Sequence, residues 1–468
     1  MATAAELFDR IGSTDLQGDA PVRLGTSVVL GGSVAGLLAA RVLADHSDDV
    51  VIVERDPSGG DDRPRRGVPQ GSQLHAMLPG GARQLERWFP GFTADALAAG
   101  AQTARPEQRI NFLDGRRLVR GSDEVLLTAT RPLLERVIRG RLLELPNVRV
   151  ITGRVTGVEF GESAATAVDY EAESGPARQG ADLVVDAMGR ASRLSEWLGE
   201  AGWDRPPLIR QTININYATA LFKREPGVPP WNAVQALCSP EAGGDLGGAA
   251  MVAVEDDRWI ILMGGYGDCR PGHTAEDFLR RCREEFPEQF GRVAEQELLE
   301  LKTYHQADSR RRDFFRTRKF PARLVVVGDA VASFNPIYGQ GMSVAALHAS
   351  CLSMYLRSGP ALDSPARHFF ELQRVVDDAA WDLSTSGDLA RKSVPGPRPS
   401  GFPLMHWLSN RITSAMATDA VVARVFFEVT FMTRHPAELA RPVLLARALR
   451  AGLRRRPAPA PTLADMPV

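Results

Sequence analysis

Gly31-Gly32-Ser33 and Gly36 follow three apolar residues, Val28-Val29-Leu30, and lead into a second apolar run, Leu37-Leu38-Ala39-Ala40. A further strand pattern, Val50-Val51-Ile52-Val53, ends on Glu54, 23 positions after Gly31. A strand, glycine turn, helix, strand and terminal acid in that order form a dinucleotide site. Gly31 permits the tight turn, and Gly36 lets helix and strand pack closely. The helix start offers unpaired N–H groups to a pyrophosphate. Glu54 can accept both hydroxyls of an adenosine ribose. Ser33 stands where a second glycine is usual, so the backbone is slightly less free to approach phosphate.

A second segment with chemical potential runs from Leu324 to Ser343. Its apolar strand, Leu324-Val325-Val326-Val327, ends on Gly328-Asp329, which puts a carboxylate within reach of a sugar-alcohol hydroxyl. A proline loop follows (Phe334-Asn335-Pro336-Ile337-Tyr338), and Gly339-Gln340-Gly341 then opens an apolar helix beginning with Met342. Free amides at such a helix start suit an electron-rich ring carbonyl. A reduced isoalloxazine has that need, because negative charge gathers at its N1–C2=O edge.

The elements that must position these residues can be read coarsely. Thr130 is an N-cap candidate for a helix with Arg131-Pro132 in its first turn. Val148–Thr152 and Asp182–Asp186 read as strands. Between about 205 and 270 the pattern becomes antiparallel: Ile213, Ile215 and Tyr217 alternate with Asn214 and Asn216, and Trp259-Ile260-Ile261-Leu262 follows a turn at Asp256-Asp257. Helical spacing returns at Ala275–Phe286 and dominates after about 364. Residues 57–66 read as loop, because glycine, proline and like charges break both periodicities. Leu404, Trp407, Leu408, Ile412 and Met416 mark a helix with an apolar stripe, packed on the body or in peripheral contact with a membrane surface.

The chain has 468 residues and a net charge of −1, which speaks against a nucleic-acid partner. Four scattered cysteines lack metal-ligand spacing and read as reduced thiols, so no metal and a cytoplasmic location are expected. Neither a signal peptide nor a spanning helix is evident. The Arg310-Arg311-Arg312 run reads as a solvated face rather than a site for a pyridine-nucleotide phosphate.

Together the two glycine segments resemble flavoprotein monooxygenases of the para-hydroxybenzoate hydroxylase-like superfamily, and Leu183–Ser192 looks like their middle motif. Arg65-Arg66-Gly67-Val68-Pro69-Gln70 with His75, and Phe334–Gly339, resemble more narrowly the bacterial FAD-dependent epoxidases of polyether biosynthesis. Gln73 departs from the histidine frequent in that pattern, and Ser343 from the asparagine common after the Gly-x-Gly motif. The resemblance implies an α/β fold. Its Rossmann-like, glutathione-reductase-like FAD domain (25–200 and 318–363) is interleaved with an antiparallel β-sheet substrate domain (201–317). A flexible extension (1–24), C-terminal helices (364–456) and a disordered tail (457–468) complete the expected chain.

The implied cofactor is FAD, held by Gly31, Gly32, Ser33, Gly36, Glu54, Arg65, Arg131, Asp329, Gly339, Gly341 and Met342. Gln70, Pro336 and Tyr338 would line the reaction face without acting as obligatory acid or base, and Ile213, Ile215, Tyr217 and Trp259 would contact an apolar substrate. The implied reaction inserts one oxygen atom of O2 through a flavin C4a-hydroperoxide, by epoxidation of a polyketide or terpenoid alkene or by hydroxylation, as in antibiotic and other specialised metabolism. NAD(P)H would supply electrons directly or through a flavin reductase. An FAD-dependent reductase of the geranylgeranyl-reductase type shares the same motifs, and a non-catalytic flavin-binding subunit stays open.

Overall fold

Val28, Val29 and Leu30 are fully buried in the strand Leu24–Leu30, at the centre of a seven-stranded sheet. The computed structural model describes residues 2–15, 22–56, 64, 65, 67, 69–225 and 230–453. Leu24–Leu30 pairs in parallel with Ser47–Glu54 on one side and Leu183–Asp186 on the other. Val148–Phe160 and Leu324–Val326 extend the parallel set outward. Burial on both faces explains why these strands read as continuous Val/Ile/Leu runs without alternation. Helix Val34–Ala44 lies against this sheet and against helix Gly341–Arg357, so the two glycine segments start neighbouring helices at one sheet end.

The second sheet has eight strands, with Leu208–Lys223 between Leu298–Arg312 and Arg258–Tyr266. Its two faces have different tasks. Ala218, Ala220, Phe222, Trp259, Ile261 and Met263 pack against Phe278, Cys282 and Phe290 of the helices Ala275–Glu284 and Glu288–Ala294. Ile213, Ile215 and Tyr217 join Tyr266, Leu389, Val394 and Ile337 on the opposite face. A bulge between Thr212 and Ile215, with Asn214 at φ 44°, lies within this strand. This α/β architecture, a parallel nucleotide-type sheet interleaved with a largely antiparallel one, matches the fold class implied by the motifs.

Three parts of the chain differ from expectation. Within the 1–24 extension, Ala4–Gly12 is a helix, closed by a reciprocal Thr3–Glu6 capping box and anchored by buried Phe8 and Ile11. Arg109–Leu113 and Arg116–Arg117 leave the first unit and form the edge of the second sheet, joined by Asp114-Gly115 at φ 51° and 72°. Two positive φ values in a two-residue Asp-Gly turn are the mark of a tight hairpin. The helix Arg367–Leu389 packs along Gly341–Arg357, so the C-terminal region is tied into the first unit's core. Residues 57–63, 66 and 454–468, which include most of the expected loop and all of the expected tail, lie outside the described residues.

Candidate cofactor and active site

The first glycine turn is built for close backbone approach. Gly31 has φ 100°, and a Cβ there would sit 2.7 Å from the Ala187 carbonyl oxygen. A Cβ on Gly36 would overlap the Gly31 carbonyl at 1.9 Å. Only glycine lets strand, turn and helix meet this tightly. Glu54 is buried at its strand end, where it accepts from the N–H groups of Gly32 (2.6 Å) and Asp56 (2.9 Å) and pairs with Arg65 (3.1 Å).

Around that turn lies an arginine cluster organised by a residue the motifs did not flag. Glu135, on helix Arg131–Leu143, accepts from Ser33 Oγ (2.6 Å), Arg131 Nε (2.9 Å) and Arg65 Nη2 (2.7 Å). Burial opposes its ionisation, but Arg131, Arg65 and Ser33 outweigh burial and hold the carboxyl at about 2. Arg139 donates from Nη2 to the Gly32 carbonyl (2.6 Å), while its buried Nη1 has no partner. Three arginines therefore face two carboxylates at a helix N-terminus, leaving an excess positive charge and an unused donor. That donor set fits a pyrophosphate. The i,i+4 spacing of Arg131 and Glu135 was the available signal in the sequence. His75 sits beside Arg131 (3.4 Å), and burial together with that guanidinium pushes it down to about 4, so it is neutral at pH 7.

Asp329 stands at the other end of the cradle. Gly328 has φ 62°, and a Cβ there would press to 2.6 Å on Ala35, so this turn too needs glycine to reach the first helix. Buried His348 fixes the turn: its Nδ1 accepts from the Gly328 N–H (3.0 Å), which leaves Nε2 to donate to Asp377 (3.1 Å). Among the described residues the Asp329 carboxylate has no hydrogen-bond partner. Burial raises its pKa, against the pull of Arg131, Arg190 and His348. In front of Gly339 and Gly341 a Cβ would meet nothing nearer than 4.0 Å. An unpartnered carboxylate beside an open glycine helix start suits a ribityl chain and a flavin ring edge, so the residues present fit FAD. Met342 is buried in the first turn of that helix.

Asp186 and Arg190 of the middle segment separate. Asp186 is fully buried, accepts from the Met188 N–H (2.9 Å) and the Ser192 hydroxyl, and is raised to about 6 by burial. It shapes the turn that abuts Gly31. Arg190 instead pairs with Asp308 on the second sheet. The arginine run is not a solvated face: Arg311 is 6% exposed and pairs with Asp313 and Asp378, Arg310 pairs with Asp308, and Arg312 donates to the Ala330 carbonyl.

On the substrate side the structure sorts the expected residues. Ile213, Ile215 and Tyr217 share one apolar cluster with Ile337, but they are fully buried in it by close packing against Tyr266, Leu389 and Val394, so they back the site and do not contact a substrate as expected. Trp259 does not join them. It lies on the other sheet face, 5.1 Å from Trp231, because its register partner Phe222 points away from the face that carries Tyr217. Tyr338 also departs from its expected role at the reaction face: its hydroxyl turns inward and donates to Asp388 (3.3 Å). Pro336 is exposed at the loop surface, and Gln70 lies in the one-turn helix Pro69–Ser72. Gln73, the departure from the histidine pattern, accepts from Thr219 (2.6 Å) and ties this loop to the sheet.

Beneath the Phe334–Gly339 loop lies a buried polar network that the motifs did not announce. Tyr217 donates to Asn335 Oδ1 (2.7 Å), and Asn335 Nδ2 (2.7 Å) and the Tyr266 hydroxyl (2.9 Å) donate to Asp388. Burial pushes Asp388 up to about 6 despite these donors. The phenols and the amide thus engage one another, and the loop is anchored from below. Among the described residues no group of His, Cys, Asp and Glu could hold a metal ion.

The fold is shared with solved flavin-dependent monooxygenases and halogenases. The flavin-dependent brominase Bmp2 aligns over 92% of this chain and 99% of its own, at TM-score 0.63 and 15% identity. The p-nitrophenol 4-monooxygenase PnpA of Pseudomonas putida aligns over 88% and 99%, at TM-score 0.61 and 20% identity. Protein Rv3254 of Mycobacterium tuberculosis is 31% identical over 419 residues, spanning 86% of this chain and 88% of that protein. The chain belongs to the family of Rv3254. No protein-family model matches it.

Two substitutions test the cradle. Asp329→Ala should lower FAD occupancy about tenfold or more, by removing a charged acceptor worth roughly 1.5–3 kcal/mol; a variant that purifies fully yellow with unchanged affinity would remove Asp329 from the site. Gly341→Val should fold with unchanged stability in the absence of FAD, since its Cβ enters open space, yet purify colourless. Normal flavin content in that variant would place the ring elsewhere.

Proposed function

We propose that this protein is an FAD-dependent monooxygenase acting on an apolar, alkene-bearing substrate of polyketide or terpenoid type, with epoxidation as its reaction. The observation that carries the reading is the open Gly339–Gly341 cradle beside Ile337, behind which Ile213 and Ile215 are fully buried in an apolar cluster whose polar neighbours bond to one another. When bound and reduced, FAD supplies the activation of O2 and an electrophilic oxygen atom. The protein's own residues have three tasks. Glu135 and its arginines seat the pyrophosphate, Asp329 and the Gly341 helix start orient the ribityl chain and ring edge, and Ile337, backed by buried Ile213 and Ile215, positions the alkene and excludes water. Such chemistry needs little acid–base help, which agrees with neutral His75 and with Asp388 turned away beneath the loop. NAD(P)H, directly or through a flavin reductase, is proposed as the electron source.

The test is anaerobic photoreduction of the purified protein followed by mixing with isotopically labelled O2 across a panel of alkene-rich polyketides and terpenoids. One labelled oxygen atom in the product supports the reading. Reoxidation of the flavin with saturation of the alkene and no label would replace it with the reductase.

A further inference from the structure

The helix Phe402–Ala415 begins with an apolar end that no part of the described chain covers. Leu404 is 62% exposed, Met405 63% and Trp407 44%. Leu404, Trp407 and Leu408 follow i, i+3, i+4 spacing, and the row ends on Arg411, whose guanidinium lies 5.3 Å from the Trp407 ring centroid. The neighbouring helix Pro442–Leu453 adds exposed Val443 and Leu449, together with exposed Arg447 and Arg450. Clustered apolar side chains of this size on a soluble surface mark an interaction site.

Charge selects the partner. The described residues 401–453 hold six Arg against one Asp and two Glu, a net +3, whereas the whole chain carries −1. Two copies meeting through this unit would set +3 against +3. An anionic lipid surface reverses the sign of that interaction, attracting each nearby cation by about 1 kcal/mol and accepting the Leu, Met and Trp side chains at the headgroup boundary. The Trp–Arg pair suits the same boundary, with an apolar ring and a wet cation. No helix of the described chain is long and apolar enough to cross a membrane, so the contact is one of lying on the surface.

We propose that the C-terminal helical unit docks on anionic membrane surfaces through Leu404, Met405 and Trp407 at the start of the Phe402–Ala415 helix, assisted by its excess arginines. Phe402 in the same first turn packs into the apolar cluster of Ile213, Ile215 and Tyr217. Docking therefore brings the substrate face close to the acyl chains. That consequence rests on the monooxygenase reading; the docking does not.

The experiment is co-sedimentation of the full-length, FAD-loaded protein with vesicles of phosphatidylcholine containing about one third phosphatidylglycerol, and with pure phosphatidylcholine. The protein should pellet with the anionic vesicles at low salt, stay in solution with the neutral ones, and be released as salt rises. The double variant Leu404→Asp, Trp407→Asp changes only exposed side chains. It should keep its Tm and flavin content while its partition falls about tenfold or more. Failure to bind anionic vesicles, or equal binding by the double variant, overturns the proposal. So does a wild-type protein that ignores vesicles and elutes as a dimer which the double variant splits, because a second copy would then cover the patch. None of these readouts depends on turnover, so oxygenation and docking can fail separately.

Discussion

Replacing Glu135 with Gln is expected to destabilise the FAD-free protein by about 3 kcal/mol and to make its Tm rise more steeply with added FAD than that of the wild type. Glu135 is buried and satisfies Arg65, Arg131 and Ser33 together. The amide keeps the shape but removes the charge, which leaves Arg65, Arg131 and Arg139 around one another without the carboxylate that joins Arg65 to Arg131. The folded-state pKa of about 2 lies below the ordinary 4.5, and a gap of that size corresponds to about 3 kcal/mol. For an acid whose pKa falls on folding, this stabilisation is complete above the unfolded-state pKa and is lost as pH falls towards 2. Wild-type unfolding free energy should therefore drop between pH 4.5 and 2 by one proton's worth more than that of Glu135→Gln. A bound pyrophosphate supplies the missing negative charge, so FAD should rescue much of the loss. Urea unfolding with and without FAD checks this. An equal deficit in both states would mean that the arginines do not face the pyrophosphate.

The legible part of the site is the part whose geometry is local. Gly31, Gly36 and Glu54 lie within one strand–turn–helix–strand unit, and backbone sterics alone require their types and spacing. The same holds for Gly328-Asp329 and for Gly339–Gly341. Glu135 was half visible, because its partner Arg131 sits one helical turn earlier while Ser33 and Arg65 are distant in the chain. His348, Asp377 and Asp388 carried no local signal. Each lies in a helix whose contact with the Phe334–Gly339 loop or the Gly328 turn exists only once the helix Arg367–Leu389 packs along Gly341–Arg357. Trp259 shows a different limit: alternation reveals that a strand has two faces, but only the packing of the helices Ala275–Glu284 and Glu288–Ala294 decides which is covered. Two further signals are local, the Thr3–Glu6 capping box and the Asp114-Gly115 hairpin turn.

Asp388→Leu should cost about 3 kcal/mol or more and displace the Phe334–Gly339 loop, whereas Asp388→Asn should preserve the loop and stabilise the protein above pH 6. Three buried donors converge on this carboxylate, from Tyr266, Asn335 and Tyr338. Leucine strands all of them, and an unsatisfied buried donor costs roughly 1–3 kcal/mol. Asn335 would lose one of the contacts that hold it to Tyr217 and the sheet, so substrate turnover should fall with stability. Asparagine differs because its Oδ1 can accept as Asp388 does, and its neutral amide takes the place of the buried Oδ2 that has no partner. The sign of the pH effect follows from burial, which lifts the folded-state pKa from 3.8 to about 6. An acid raised on folding contributes most stability below its unfolded-state pKa and loses that contribution as pH rises through the folded one. The stability that Asp388 contributes should therefore be lost between pH 4 and 7, as should that of Asp186 and Asp329, which burial raises in the same way, while His75, lowered to about 4, gives a slope of opposite sign over that window. The Asn variant should lose the Asp388 share alone, so its Tm should fall less, or rise more, with pH over that window than the wild-type Tm. A wild-type slope in the Asn variant would assign the proton to another member of the network. A Leu variant with normal stability and turnover would show that Asn335 and the phenols can hold the loop without the carboxylate beneath it.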